Sequence, residues 1–340
     1  MSSVYGDITP RTAAFAAAKM LERALPSMCM SRFGQQQPIP KNKTNVVKFR
    51  RYNGFAPSTT ALVEGVTPAA DVINSTDVTA TLAQYGRRVQ ISDVIADTHE
   101  DPVLSEYAEV MGEVAGQTME SVCYNVLKAG TNVLYSGSAT SRITVAAKID
   151  TSALNRAIRQ LKRQNAKLIT RMLAGTDKVG TAPIRPGYIA FCHPDLQTDL
   201  ESLTETGGAK AFKTPSEYGS YTPLMPNEMG SYRDIRFLSS TLYAPWLAAA
   251  TTTGSQSVIL TNGGTGAGIG DVYPIIIVGM DAYATVSLAG ANSVTPIVIN
   301  PKPSDSDVLG QRGHVGFKMY STACILNDAW MCRIECGVAQ

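Results

Sequence analysis

Four glutamates at helical spacing form the first group of side chains that could do chemistry. They are Glu106, Glu109, Glu113 and Glu120, so a helix would place them along one face. Neighbouring carboxylates can perform acid–base chemistry when their surroundings hold their pKa values apart. An evenly spaced row on a polar face provides no such difference. The pattern therefore favours a solvated face, with a docking surface for a basic segment of another subunit as the alternative.

Five basic residues in two predicted strands form the second group. Lys48, Arg50 and Arg51 lie in the segment VVKFRRY, and Arg87 and Arg88 follow Gly86 in the next strand-like stretch. We expect both strands to meet the body of the protein here, so the five cations would cluster. A solvated strand edge would explain them equally well.

Cysteine and histidine do not form a recognisable metal or catalytic pattern. The cysteines lie at 29, 123, 192, 324, 332 and 336, mostly in apolar runs, and the histidines at 99, 193 and 314. We expect buried free thiols in a reducing compartment and no metal site. His99, Glu100 and Asp101 come nearest to a site, but helix capping explains these carboxylates. Without a Walker loop, GxSxG elbow or HExxH motif, we predict no enzyme, no catalytic residue and no cofactor.

The composition is that of a folded protein with nearly balanced charge. Of 340 residues, 30 are basic and 28 acidic, which gives a formal net charge of +2. This balance requires neither nucleic acid nor an anionic membrane as a partner. No run approaches about 18 uncharged apolar residues, so we predict no membrane span, and the N-terminal segment lacks the layout of a signal peptide.

A long helix is predicted to carry the glutamates. Asp101 can cap it, Pro102 suits its first turn and Gly130 stops it. From Pro102 to Ala129 it would be about 40 Å long at about 1.5 Å per residue, long enough to be a spine of the fold. Apolar residues recur near the 3.6-residue period and predict one buried stripe made of Val103, Tyr107, Val110, Met111, Val114, Met119, Val122, Val126 and Leu127.

Several segments around this helix are predicted to be unstable without contacts from other parts of the protein or from another chain. Residues 1–44 read as an arm with too little apolar content to fold alone. Strand patterns at 46–52 and from Val78 onward, with about 25 residues between them, predict a hairpin that projects from the body and rests on another chain, with a bulge or bend at Gly86. A helix from Ser152 to Leu173 carries basic residues and no acidic one. A phosphate-binding role is open to it, but the absence of interleaved aromatic residues favours a solvated or intersubunit face.

Several blocks of the sequence, taken in order, resemble the major capsid proteins of tailed bacteriophages. They include LVEGVTP, VTATLAQYGRRVQISDVIADTHEDPVL, CHPDLQTDL and GQRGHVGFKMYSTACILNDAWMCRIE, and the resemblance extends over nearly the full chain. More narrowly, the chain is similar to the capsid family of podoviruses with a large virion polymerase. The resemblance implies an α+β, tailed-phage major capsid (Johnson) fold. Its parts are an N-terminal arm (1–44), an extended E-loop hairpin with its base strands (45–100), a P-domain with a long spine helix (101–150 and 290–340) and an A-domain (151–289).

The resemblance also implies a function and a set of partners. Hexamers and pentamers of such a protein close an icosahedral shell around double-stranded DNA, so the chain would be found in the virion after assembly in the host bacterial cytoplasm. Implied partners are other copies of the chain, portal, scaffold and decoration proteins, and DNA held by containment, with no membrane. Because the E-loop of this fold crosses a neighbour's P-domain, we hypothesise that the basic group pairs with the neighbour's glutamate row.

The sequence differs in two ways from some other members of this fold, and two other classes of protein remain as alternatives. Some members of the fold crosslink through an E-loop lysine, but no lysine lies between Lys48 and Lys128. The segment before Val46 is short for a built-in scaffold, so a separate scaffold or decoration protein is expected. A homo-oligomeric enzyme or a tail or adhesion protein would instead show a pocket with convergent polar groups, or repeats or a trimeric coiled coil.

Overall fold

A computed structural model describes residues 29–54, 57–59, 61–62, 64–65, 67, 70–94, 103–169, 186–205, 207–218, 227–251, 269–288, 294–299, 301, 303 and 308–338. The described helices are α1 (Met30–Phe33), α2 (Val103–Lys128), α3 (Thr151–Arg163) and α4 (Gln197–Glu201). The described strands are β1 (Gln35–Ile39), β2 (Val46–Tyr52), β3 (Ser75–Thr81), β4 (Ala83–Ser92), β5 (Val133–Tyr135), β6 (Tyr188–Cys192), β7 (Glu228–Tyr232), β8 (Ile235–Ser239), β9 (Trp246–Thr251), β10 (Ile269–Val278), β11 (Tyr283–Leu288), β12 (Val294–Ile299), β13 (Arg312–Ile325) and β14 (Met331–Cys336). This mixture confirms the predicted α+β class.

The first sheet is built around β13, a strand of 14 residues. β4 pairs antiparallel with one side of β13, and β11 and then β12 pair antiparallel with the other side. β1 extends the sheet as a parallel partner of β11. Strands from the early and late parts of the chain therefore share one sheet, as predicted.

The second sheet has the order β5-β14-β10-β6-β8-β7, and β9 pairs with the beginning of β10. Its central strand is buried on both faces, because α3 packs against one face and the C-terminal half of α2 against the other. Ile275 and Ile277 of β10 belong to the core under α3, and Ile276 and Val278 to the core under α2. This double burial explains the uninterrupted apolar run of β10.

The long helix α2 lies within one residue of the predicted helix at both ends, although Asp101 and Pro102 lie outside the described residues. Its buried face turns between the two halves. The first half packs on the first sheet through Ala108, Met111 and Ala115, and the second half packs on the second sheet through Tyr124 and Leu127. The predicted apolar stripe is confirmed in part. Met111 and Leu127 are buried, and Tyr107, Val114, Met119 and Val126 are partly buried against the two cores, whereas Val110 is 41% exposed.

Two local predictions are also wrong. Gly86 forms no bulge but pairs regularly with Lys318. A Cβ at Gly86 would lie 2.8 Å from the carbonyl oxygen of Phe317, so glycine is needed there for close strand approach. The helix predicted to reach Leu173 ends at Arg163, because Asn165 takes a left-handed backbone conformation with φ of 53°.

The predicted segment boundaries do not follow the sheets. β11 already lies in the first sheet before residue 289, and β14 inserts between β5 and β10 of the second sheet. Residues 29–39, predicted to be part of a loose arm, pack into the body, with Met30, Phe33 and Ile39 almost fully buried. The sequence pattern also predicts a helix from about Pro10 to Phe33. Met30–Phe33 is helical, and the residues before Cys29 lie outside the described residues. All six cysteines are buried and free, as predicted.

Candidate intersubunit surfaces

The hairpin formed by β2 and β3 is a separate two-stranded sheet with an apolar and a charged face. The apolar face carries Val47, Phe49, Val78 and Ala80, which pack in one cluster with residues of β1 and β11. Beyond this base, large apolar side chains are exposed: Tyr52 (67%), Leu62 (78%), Val72 (77%) and Ile73 (60%). The base of the hairpin is therefore anchored in its own subunit, and its outer part leaves apolar surface uncovered.

The charged face of the hairpin contains an internal ion pair. The Arg50 guanidinium donates from Nε and Nη2 to the two carboxylate oxygens of Asp77 at 2.8 and 3.0 Å. Lys48 Nζ lies 3.7 Å from the same carboxylate. The hydrogen bond from Arg50 is the main cause that lowers the pKa of Asp77. Lys48 and Arg50 thus have an anionic partner within the hairpin, whereas Arg51 projects from the opposite face.

Arg87 and Arg88 do not join this group. They lie on β4, paired with Phe317 and Gly316 of β13, and ten residues of extended chain, about 30 Å at the strand rise, separate Arg87 from Asp77. Successive strand residues point to opposite faces, so Arg87 lies on the α2 face of the sheet and Arg88 on the outer face. The prediction of a single basic cluster at the hairpin base is wrong.

The glutamate row is likewise divided. Glu106 is exposed, Glu109 and Glu113 are half-buried, and Glu113 accepts a hydrogen bond from Gln117 at 3.1 Å. Glu120 is only 1% exposed. The prediction that all four form one exposed stripe is wrong for Glu120, because the buried face of α2 turns toward it.

Glu120 is the centre of a buried hydrogen-bond network. Its carboxylate accepts from the backbone N–H groups of Cys29 (3.2 Å) and Met30 (2.9 Å) and from the hydroxyl of Tyr243 (2.6 Å). Burial raises the pKa of Glu120, and these hydrogen bonds oppose that shift. The sequence held a signal for this burial, because Tyr124 and Leu127 follow Glu120 at spacings of four and seven on the same helical face.

A second buried charge cluster, which the sequence analysis missed, lies at the end of α2. Glu335 accepts two hydrogen bonds from Arg142, both at 2.8 Å, and one from Arg333 at 2.9 Å. Arg333 also donates to the backbone carbonyls of Lys128 and Gly130 at the helix end. The Arg142 guanidinium stacks on the indole of Trp246, and its central carbon lies 3.6 Å from the centre of the ring. These contacts tie α2 to β14 and β9.

The face of the first sheet opposite α2 forms a shallow basic surface that we call the outer groove. Its lining residues include Arg88, Ile297, Ile299, His314 and Lys318, and it continues past Lys318 onto Lys41, Lys43, Thr295 and Tyr320. None of the described residues that line it is acidic. Ile297 and Ile299 are 39% and 51% exposed, so the groove combines positive charge with apolar surface.

Within the described residues, no group of three or more His, Cys, Asp or Glu side chains could hold a metal ion. The same part of the chain contains no helix that is long and apolar enough to cross a membrane. His99, Glu100 and Asp101 lie outside the described residues.

Comparison with solved structures finds the same fold in phage capsids. The capsid of Ralstonia phage GP4 aligns with a TM-score of 0.64 at 11% identity, covering 91% of this chain and 88% of that chain. The capsid of cyanophage P-SCSP1u aligns with a TM-score of 0.55 at 14% identity, covering 90% and 87%. At these identities the similarity establishes the tailed-phage capsid fold.

Sequence comparison supplies the family. A major capsid protein of Pseudomonas phage KPP21 is 20% identical over 270 residues, which are 75% of this chain and 66% of that protein. Residues 75–317 match a family model described as phage capsid protein. This match extends from β3 into β13 and so includes the long helix and most strands of both sheets. The chain therefore belongs to the phage capsid protein family.

Proposed function

We propose that this chain is a major capsid protein that assembles as hexamers and pentamers into an icosahedral shell enclosing double-stranded DNA. The observation that carries the proposal is the projecting hairpin. A two-stranded hairpin is only marginally stable alone, yet this one exposes four large apolar side chains beyond its anchored base. Another copy of the chain would cover them.

The outer groove is the surface that best fits the hairpin tip of a neighbouring copy. Between β2 and β3, residues 53–74 contain two acidic residues, Glu64 and Asp71, and no lysine, arginine or histidine. The tip is thus acidic and apolar, and the groove is basic and apolar. This complementarity replaces the hypothesis of one basic hairpin base against one acidic helix row. Because Glu120 is buried, it is no longer a candidate for an intersubunit contact. The other eight charged residues of the two predicted groups remain proposed contacts, and Arg88 is favoured because it lines the outer groove.

Charge reversal on each surface tests the contact. Arg88→Glu with Lys318→Glu in the groove, or Glu64→Lys with Asp71→Lys in the tip, should each abolish shells in negative-stain images. Combining the two pairs should restore assembly in part, because opposite charges meet again. A wild-type protein that stays monomeric at micromolar concentration would refute the proposed function.

A matched control separates local pairing from net charge. The groove reversal combined with Glu205→Lys and Glu217→Lys restores the same net charge at exposed positions outside the first sheet. This variant should remain unable to assemble. If it assembles as well as the swapped variant, the tip and groove do not meet.

The near-neutral chain further leads us to propose that DNA is held by containment rather than by tight binding. The isolated subunit should bind duplex DNA weakly, and a steep salt dependence that indicates many phosphate contacts would contradict this. Portal, scaffold and decoration proteins, and assembly in the bacterial cytoplasm, follow as parts of the same proposal.

A further inference from the structure

The segment from Cys29 to Ile39 lies across two separate cores of the subunit, and we call it the strap. At its beginning, Met30 and Phe33 are buried between α2 and the second sheet, and the Phe33 ring lies 6.0 Å from that of Phe191. At its end, Ile39 is buried in the cluster under the hairpin.

The beginning of the strap is also held by polar contacts. Glu120 accepts from the N–H groups of Cys29 and Met30, as described above, and Tyr283 donates its hydroxyl to the carbonyl of Met30. Asn227 donates to the Cys29 sulfur at 2.8 Å. Buried hydrogen bonds to a charged acceptor are worth more than neutral ones, so Glu120 is the principal anchor.

The end of the strap supports the hairpin. β1 pairs in parallel with β11 as an edge strand, and Ile39 shares its cluster with Val47, Val78 and Ala80 of the hairpin base. Only the exposed residues 40–45 then connect the strap to β2. If β1 leaves its place, the hairpin base loses apolar contacts on the face that joins it to the body.

We propose that the strap couples the spine helix to the hairpin, with Glu120 as the anchor whose loss loosens the hairpin base. Within the strap, α1 is joined to β1 by Gly34 alone, so a displacement at one end is passed to the other over a short connection. Ala323 of β13 and Met331 of β14 share the core around the strap. Each of these strands is nevertheless hydrogen-bonded on both sides to strands other than β1, so its backbone protection should not respond. This coupling concerns the single subunit and does not depend on the proposed shell.

Glu120→Gln and Glu120→Ala test the proposal in the full-length chain, with Glu106→Ala as the exposed control on the same helix. Cys29 serves as an internal probe, because it is 1% exposed and reacts with N-ethylmaleimide only when the strap opens. Labelling is assigned to each cysteine by mass spectrometry, and amide hydrogen exchange is followed in β1, β2, β3, β13 and β14.

We expect Glu120→Ala to raise Cys29 labelling at least about tenfold, because the substitution removes a charged acceptor from two buried N–H groups and one hydroxyl. Exchange in β1, β2 and β3 should rise with it, Glu120→Gln should lie between wild type and Glu120→Ala, and Glu106→Ala should change neither. Cys192, Cys332 and Cys336, which are fully buried in the second sheet, should stay unlabelled.

Two results would overturn the coupling. One is faster Cys29 labelling with unchanged exchange in β2 and β3, which would mean that the strap opens without affecting the hairpin. The other is an equal loss of protection in β13 and β14, which would mean general destabilisation. If Glu120→Ala does not fold, Tyr243→Phe removes a single donor to Glu120 and should produce smaller changes at the same places.

Discussion

The charge cluster at the end of α2 allows a stability prediction of defined size. Glu335→Gln keeps the shape of the side chain but removes the carboxylate that pairs with both Arg142 and Arg333. The Lys128 ammonium lies 4.2 Å from the Trp246 ring in the same cluster, so three cations would remain without their counter-charge. Removing one partner of a buried ion pair costs about 3 to 5 kcal/mol. Because the Arg142 side chain is 34% exposed and can rehydrate, we expect a loss of about 3 kcal/mol.

The assay is equilibrium urea unfolding followed by far-ultraviolet circular dichroism and tryptophan fluorescence. Trp246, one of two tryptophans in the chain, reports on the cluster directly. Asp77→Asn is the matched control, since it breaks a bidentate arginine–carboxylate pair of the same geometry on the hairpin surface. It should leave the unfolding midpoint unchanged.

The double variant Arg142→Met with Glu335→Gln should lose less stability than the sum of its single variants. Glu335→Gln alone leaves the guanidinium groups of both Arg142 and Arg333 without their carboxylate, whereas the double variant leaves that of Arg333. The reasoning is refuted if Glu335→Gln costs less than about 1 kcal/mol, the value of an ordinary hydrogen bond. Strict additivity of the two substitutions would also refute it.

Two further predictions concern strand approach and alkaline pH. Gly86→Ala should lower the thermal midpoint, because its Cβ would lie 2.8 Å from the carbonyl oxygen of Phe317, whereas Gly54→Ala, with open space around it, should not. Stability should fall as the pH rises above about 9, since burial raises the pKa of Cys192 and Cys332 from 9.0 to about 12. In that window the unfolded chain loses thiol protons that the folded chain keeps, so the urea midpoint should decrease from pH 8 to pH 11, and a midpoint that rises would contradict the assignment.

Local periodicity was sufficient to predict much of the fold. β2 begins and ends where the segment VVKFRRY does, and α2 runs within one residue of its predicted ends. These elements show clear alternation or helical spacing over their full length, so no distant contact is needed to recognise them. The N-terminal segment was harder, because β1 contains three glutamines and a proline and owes its structure to pairing with β11.

The two buried charge clusters were missed because their partners lie far apart in the chain. Glu120 binds Met30 at a separation of 90 residues and Tyr243 at 123, and a charged residue on a helix is usually exposed. In β14 the alternation places Arg333 and Glu335 together on one face, opposite Cys332 and Ile334. The R-x-E spacing was thus visible, but the apolar residues on either side suggested only a buried strand.

The buried charges and the exposed charges of the subunit have different roles. Glu120 and Glu335 are buried and hold helix, strap and sheets in one arrangement, which suits contacts that must persist while subunits meet. The charges of the hairpin tip and the outer groove are exposed, so each proposed contact between them would be weak and screened by salt. Weak contacts can break when a subunit binds in the wrong orientation, and a shell repeats each of them many times. In the proposed shell, a rigid subunit with salt-sensitive outer contacts would therefore combine correction of errors during assembly with stability of the closed form.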